Sequence, residues 1–388
     1  MNFASSFGQT FFISIFAGKI QAEYGLSHGD WGGLYATATT ASAIVMVWAG
    51  TLTDSVRVRI LGPAALIFLA LACVGMSVSG HWIGLVAVIF CLRFFGQGML
   101  SHIGMVAMAR WYVLQRGKAI AIAALGYAVG ESTLPILFVS FMDEVDWRAL
   151  WIVAAIMLLI LVPFIRRFLR MERTPQSEAE REDAFGMSGR HWTRIDALKN
   201  PLFWFVVPAI VGPSAWLTAL FFQQVHLAET KGWEHAQIVA LFPAYTVAAI
   251  GASLIAGWAL DRFGTGPLLP FSQLPISAGF VTIWATDGLF GAFIGFVLIG
   301  LSQGTYSTLF AAFWAEFYGT RFLGGIKSMA VGFMVLGSAI GPLVTGNAID
   351  LGFSFPTQLP LIAVYFLGSS GLLWMGVFRA RRSFSAST

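Results

Sequence analysis

Apolar residues fall along this chain in long blocks, and the polar residues collect in the short intervals between them. A block of about twenty apolar residues, rising about 1.5 Å per helical residue, is long enough to cross a hydrocarbon layer roughly 30 Å thick. Such blocks predict helices at 2–22, 33–52, 60–80, 83–108, 119–141 and 149–168, and again at 202–227, 237–260, 267–286, 289–315, 327–348 and 359–379. Only one long hydrophilic stretch, 169–200, interrupts them. The pattern predicts an all-α polytopic membrane protein of twelve helices: a six-helix bundle over 1–168, a linker over 169–200, and a second six-helix bundle over 201–388 ending in a short tail. The first block has no basic stretch before it and no A-x-A-like exit, so it is expected to remain as a helix rather than leave as a signal peptide.

The placement of charge orients the bundle. With the N-terminus inside, the inner loops collect Arg57, Arg59, Arg110, Arg116, Lys118, the run from Arg166 to Lys199, Arg262, Arg321, Lys327, Arg379, Arg381 and Arg382. The outer side then holds Lys19, Arg148 and Lys231 beside Asp143, Glu144, Asp146, Glu229, Glu234, Asp287 and Asp350. That asymmetry predicts both termini and the linker on the cytoplasmic side of an inner membrane. The linker mixes both signs and reads as a solvated tether with a short surface helix. Composition agrees with burial in lipid, at 57% hydrophobic and 11% charged residues and a mean hydropathy of +0.76. A net charge of +4 gives no nucleic-acid signature. Cys73 and Cys91 both sit in apolar blocks, so they read as packing residues rather than a metal or redox pair, and no cofactor is implied.

Sliding the chain by 207 residues superposes Gly25 on Gly232, His28 on His235, Gly50 on Gly257, Asp54 on Asp261, Gly130 on Gly337 and Pro135 on Pro342. Chance apolar similarity does not hold Gly, His, Asp and Pro in one register. The two halves are therefore expected to be parallel structural repeats around a central cavity. In the same register the helix that begins near Pro201 has a counterpart starting before Met1, so the natural first helix is expected to begin upstream.

The repeated loops carry Gly50-Thr-Leu-Thr-Asp54-Ser-Val-Arg57-Val-Arg59 and Gly257-Trp-Ala-Leu-Asp261-Arg262-Phe-Gly264. An aspartate at such a turn can cap a helix N-terminus or pair with a loop cation, forming a latch that has to be breakable. Both loops resemble the G-x-L-x-D-R-x-G-R signature of the major facilitator superfamily. The first copy departs from it, with Val56 and Val58 and no Gly after the basic position. The resemblance implies twelve helices, alternating access, a small-molecule substrate, a monomer, and gating roles for Gly50, Asp54, Arg57, Gly257, Asp261 and Arg262.

The fourth block holds Leu92-Arg93-Phe-Phe-Gly96-Gln97-Gly98, which resembles the family's helix-four pattern with one residue missing. Arg93 lies near the bilayer midplane, where a guanidinium costs at least about 2.5 kcal/mol unless it meets water or a partner. The fifth block holds Gly126-Tyr127-Ala-Val-Gly130-Glu131-Ser-Thr-Leu-Pro135, with Glu131 at the same depth, and Gly337 to Pro342 answers it in the second half. The glycines are expected to pack the two halves together. Arg93 and Glu131 allow two readings: a static ion pair, or a proton-carrying Glu131 coupled to an anion site at Arg93.

In the resembled fold, helices one, four, seven and ten line the cavity. This directs attention to Gln9, Lys19, Gln97, His102, Gln223, Gln224, His226, Gln303 and Tyr306 as polar candidates, with Trp216 and Trp314 as apolar walls. Any of them can instead be interhelical glue. Lys19 and His226, near the outer end, suit attraction of anions. Asn200-Pro-Leu-Phe-Trp204, Gly324-Gly-Ile-Lys and Gly341-Pro342-Leu-Val-Thr-Gly346-Asn-Ala-Ile-Asp350 resemble the monocarboxylate and oxalate:formate branch, which implies an organic anion moved with protons or by exchange. A drug or metabolite exporter, and a non-transporting scaffold or sensor on the same fold, are the alternatives. No HExxH, GxSxG or P-loop stands where it could act, so an enzyme is not expected.

Overall fold

The computed structural model describes residues 1–49, 52–111, 116–169, 186–319 and 323–385, and among them every regular element is helical. Helices occupy all twelve predicted blocks. In the first half, α1 covers 2–24 in short pieces. It is followed by α2 (His28–Ala49), α3 (Val58–Val78), α4 (Trp82–Met105), α5 (Arg116–Ser140) and α6 (Trp147–Phe168). The second half has α7 (Pro201–Phe222, extended by Gln224–Lys231), α8 (His235–Phe263), α9 (Thr265–Ala285), α10 (Leu289–Tyr318), α11 (Leu323–Asp350) and α12 (Phe355–Ser385). From α3 to α12 each is long and apolar enough to cross a membrane. Leu71, Leu361 and Val364 project outward from the bundle, so the exterior suits lipid rather than water.

α1 is less apolar because protein, not lipid, surrounds it. Phe7, Phe12, Ile13 and Phe16 are fully buried, and so are the polar Ser5, Ser6 and Ser14. Its rings interlock with α5 and α6: Phe12 packs edge-on to Phe138 at 4.8 Å and to Trp151 at 5.3 Å.

The repeat seen in the sequence is physical. Gly25 and Gly232 close their helices in the left-handed region, at φ 64° and 70°, where a Cβ is disfavoured. Two and a half turns earlier, Phe16 (φ −89°, ψ 0°) and Gln223 (φ −93°, ψ 16°) kink α1 and α7 at equivalent positions. Ser14 Oγ donates to the carbonyl of Phe221 at 2.7 Å. Those two residues are 207 apart, so the bond lies on the pseudo-twofold axis between the halves.

The repeated glycines of α5 and α11 do not pack the halves together as expected. A Cβ on Gly130 would strike Ser6, and one on Gly337 would lie 2.9 Å from the carbonyl of Val211. These glycines seat α5 on α1 and α11 on α7, each within its own half. Closeness between helices inside a half is needed in every conformation, which explains why the glycines are spent there.

Residues 24–28 and 141–146 mark one end of the bundle, here termed the far face; residues 186–200 mark the linker face. On the far face, Arg148 pairs with Glu23 at 2.5 Å, while Trp147 Nε1 donates to the same carboxylate at 2.9 Å. The Arg148 guanidinium beside Glu23 holds that carboxyl below the usual carboxylate range. On the linker face, Thr193 and Asp196 form a reciprocal cap on a short helix, Arg194–Lys199. The stretch before it is docked rather than solvated. Trp192 is buried, its backbone N–H donates to the carbonyl of Tyr318 at 3.1 Å, and Arg190 stacks over its ring at 3.9 Å. The rest of the linker lies outside the described residues.

Candidate transport site

A cavity of about 750 Å³ lies between the halves at mid-depth. It is lined by Gln9, Thr10 and Phe11 of α1, Gln97 of α4, Tyr127 and Glu131 of α5, Phe221 of α7, Tyr245 and Thr246 of α8, and Gln303 and Tyr306 of α10. Its deeper lining runs toward the linker face through Leu125, Leu254 and Ser307. Among the described residues, every hydrogen bond and ring contact between the halves is at the level of the cavity or on its far side. Phe11 meets Phe221 at 6.4 Å, Gln224 Nε2 donates to Ser14 at 2.8 Å, Trp31 stacks on Phe222 at 5.4 Å, and His28 meets His226 at 4.7 Å. The far face is closed.

Local backbone chemistry builds the polar wall. Gly8 meets Gly96 so closely that a Cβ on Gly96 would lie 2.6 Å from the Gly8 Cα, which presses α1 onto α4. At Gln9 (φ −88°, ψ 156°) α1 leaves helical conformation, and Phe12 and Ile13 bond to the carbonyl of Gln9 instead of continuing the ladder. Broken helices are tolerated at membrane depth where they line a cavity. The break turns the carbonyl of Gly8 toward α4, which swells into a wide π turn over Leu92–Leu100.

Arg93 sits in that turn and is 1% exposed. Its Nη1 donates to the Gly8 carbonyl at 3.3 Å and to Thr10 Oγ1 at 3.2 Å, and its guanidinium carbon stands 5.3 Å from the Tyr35 ring centroid. Thr10 and Tyr35 share a 2.6 Å hydrogen bond. Nε and Nη2 of Arg93 are buried without a partner. A guanidinium with five donors rarely leaves two of its nitrogens unbonded in a low-dielectric interior. Glu131 is 7% exposed and accepts a 3.4 Å hydrogen bond from the Tyr127 hydroxyl. The static Arg93–Glu131 pair is absent: no nitrogen of Arg93 lies within 4 Å of the Glu131 carboxylate. Tyr127 stands between them, bonded to one and within electrostatic reach of the other.

Of the residues singled out in the sequence, Gln9, Gln97, Glu131, Gln303 and Tyr306 line the cavity. Arg93 lies directly behind its Thr10 wall. His102, Trp216, Gln223 and Trp314 are not in its lining. His102 Nε2 approaches Thr53 Oγ1 at 3.4 Å, Trp216 packs edge-on to Tyr365 at 5.7 Å, and Trp314 is buried among Phe203, Phe313 and Tyr318. Gln223 Nε2 donates to Thr345 at 3.3 Å, tying α7 to α11. Thr10, Tyr35, Tyr245 and Thr246 were not singled out. Thr10 adjoins Gln9 in an apolar block and carried a readable signal, whereas Tyr35 reaches Arg93 from a helix not expected near the site.

In the loop motifs, Gly50 and the Asp54 side chain lie outside the described residues. Arg57 is exposed at the start of α3. Gly264 (φ 72°) ends α8 and lets α9 begin at once, with Glu316 accepting from both the backbone N–H and the hydroxyl of Thr265. Gly257 has open space around its Cα, Arg262 lies over the rings of Trp258 and Phe263, and Asp261 is exposed with no hydrogen-bond or ion-pair partner among the described residues.

The profile of the Major Facilitator Superfamily matches residues 1–342. The chain belongs to that superfamily. It is thus a membrane transporter rather than an enzyme. It is 24% identical over 372 residues to a putative metabolite transport protein of Haemophilus influenzae, covering 90% of this chain and 86% of that one. A gentisate transporter of Corynebacterium glutamicum is 24% identical over 340 residues, covering 84% and 74%. Among solved structures, a bacterial homologue of the human lysosomal transporter Spinster, inward-facing and unoccupied, superposes with a TM-score of 0.69 at 15% identity, covering 100% of this chain and 96% of that one. A mutant of the nucleoside transporter NupG superposes with a TM-score of 0.71 at 13% identity, covering 99% and 98%. These structures share the superfamily fold with this chain.

Proposed function

We propose that this superfamily transporter carries a small organic carboxylate together with a proton, by alternating access between two bundles over 1–168 and 201–388. The observation that carries the reading is a pair of buried, opposite charges on neighbouring helices with no direct ion-pair partner: Glu131 in the cavity wall without a cation beside it, and Arg93 just behind the Thr10 wall with two unbonded nitrogens. Carboxylate recognition is what a guanidinium fork does best. The charge balance also closes. An empty carrier holds Arg⁺ and Glu⁻, a loaded one holds Arg⁺, the anion and a protonated Glu131, and both present no net charge to the membrane core when they reorient.

Gln9, Gln97, Gln303 and Tyr306 supply neutral polar contacts, and Phe11, Tyr127, Phe221 and Tyr245 form an aromatic roof that suits an aromatic acid. The gentisate transporter among the relatives supports a carboxylate, as do the branch-like segments of the second half. With the linker face taken as cytoplasmic from its charge, the closed far face makes this an inward-facing conformation. His102, Trp216 and Gln223 are assigned to holding the bundles, and the Asp54 and Asp261 loops to closure of the cytoplasmic side.

Thermal unfolding of purified protein against carboxylates, size-matched amides and cationic drugs tests the reading. A ligand at about a hundred times its Kd adds about 2.7 kcal/mol of apparent stability. A carboxylate is expected to stabilise while its amide does not. Stabilisation by cationic drugs alone would instead identify an exporter.

A further inference from the structure

The geometry points to Asp350 as the latch of the far face, a carboxylate of one half that clasps the N-terminus of a helix in the other and has to let go before the cavity can open there. Asp350 ends α11. Its Oδ1 accepts from the backbone N–H of His28 at 3.0 Å, and its Oδ2 from that of Gly29 at 2.7 Å. Both N–H groups belong to the first turn of α2, a 22-residue helix whose opening amides have no partner of their own within the helix. The carboxylate therefore meets two hydrogen-bond donors and the positive end of the helix dipole together.

The backbones are shaped for this contact. A Cβ on Gly29 would stand 2.5 Å from Asp350 Oδ2, and a Cβ on Gly32 would stand 2.7 Å from the carbonyl of Pro342. A Cβ on Gly346 would strike the carbonyl of His28. Three glycines thus let α2 and α11 touch along the far half of their length, and they touch across the two bundles. No such bonds join the halves on the linker side among the described residues. A bond between parts that move relative to each other in alternating access belongs to one conformation. The inference rests on that part of the proposed function.

The repeat supplies an independent observation. In the 207-residue register Asp350 is equivalent to Asp143, and His28 to His235. Asp143 follows α5, and His235 opens α8, whose first turns pack against α5 in the opposite half. The far face thus has two symmetry-related carboxylates beside the N-termini of helices in the opposite half. The α11–α2 clasp is the formed one; among the described residues Asp143 makes no hydrogen bond or ion pair to α8.

The test uses full-length protein in nanodiscs, with Cys73 and Cys91 replaced by serine and a reporter Ser14→Cys buried just beneath the latch. Asp350→Asn keeps the side-chain shape and removes the charge. It is expected to raise the rate at which a hydrophilic maleimide labels the reporter by about tenfold, within the range set by a charge at a helix terminus. Labelling of a linker-side reporter, Ser307→Cys, should slow. Gly29→Ala, whose Cβ would push the Asp350 carboxylate away while leaving its charge in place, should act in the same direction and serves if Asp350→Asn folds poorly. Equal labelling rates in parent and both variants, or faster labelling of both reporters together, would overturn the assignment. No substrate is needed, so failure here is distinguishable from failure of the carboxylate reading.

Discussion

Replacing Arg93 with leucine is expected to lower carboxylate transport by at least about thirty-fold while leaving the thermal stability of the protein unchanged or raised. The first part follows from loss of a buried charge-assisted partner, which costs about 2–5 kcal/mol at about 1.4 kcal/mol per tenfold. The second separates a binding role from a structural one. Nη1 has its two bonds, to Gly8 and Thr10, but Nε and Nη2 have none. A buried guanidinium with two unbonded nitrogens destabilises the resting protein, and a leucine of similar bulk relieves that cost. Arg93→Lys keeps the charge but cannot present a fork, so an intermediate loss of about tenfold is expected. A fall of several degrees in the unfolding temperature of Arg93→Leu, with transport per folded molecule retained, would make Arg93 a structural residue.

Glu131→Gln is expected to uncouple transport from the pH gradient. With two units of imposed gradient a one-proton symporter can concentrate its substrate up to about a hundred-fold, since each pH unit is worth about 1.36 kcal/mol. The glutamine imitates the protonated carboxyl permanently. The loaded carrier stays neutral and can still reorient, whereas the empty carrier now carries Arg93 without its balancing charge. Counterflow exchange of labelled substrate should therefore persist while accumulation collapses toward equality across the membrane. Both activities are measured in the same proteoliposomes. Undiminished pH-driven accumulation in the variant would remove Glu131 from the proton path.

The blocks of apolar residues and the 207-residue register made the twelve helices and the repeat readable, because membrane crossing and helix capping are local demands. Gly25 and Gly232 illustrate this: a left-handed turn after a helix selects glycine wherever it occurs. The depths of Arg93 and Glu131 could be counted along single helices. Their relation could not, since it depends on where α1 breaks. The break at Gln9 exposes the Gly8 carbonyl, draws Arg93 toward Thr10 and Tyr35, and leaves Glu131 to Tyr127. For the same reason Gln223 and Trp216 passed as cavity candidates. They lie on a cavity-lining helix, but the π turn at Pro213–Leu217 and the kink at Gln223 rotate them onto α11 and α12. Asp350 was visible only as one acid among several on its side, because its partners are backbone N–H groups that carry no sequence signature.

The central claim is that one negative charge and one proton cross together on a carrier that is neutral whenever it moves. Uptake of a stabilising monocarboxylate into proteoliposomes, driven by a fixed pH gradient and repeated at membrane potentials 100 mV apart, tests it directly. One uncompensated charge is worth about 2.3 kcal/mol per 100 mV, which would change accumulation roughly fifty-fold. Electroneutral symport predicts the same accumulation at both potentials. A change approaching fifty-fold, or uptake indifferent to the pH gradient, would contradict it.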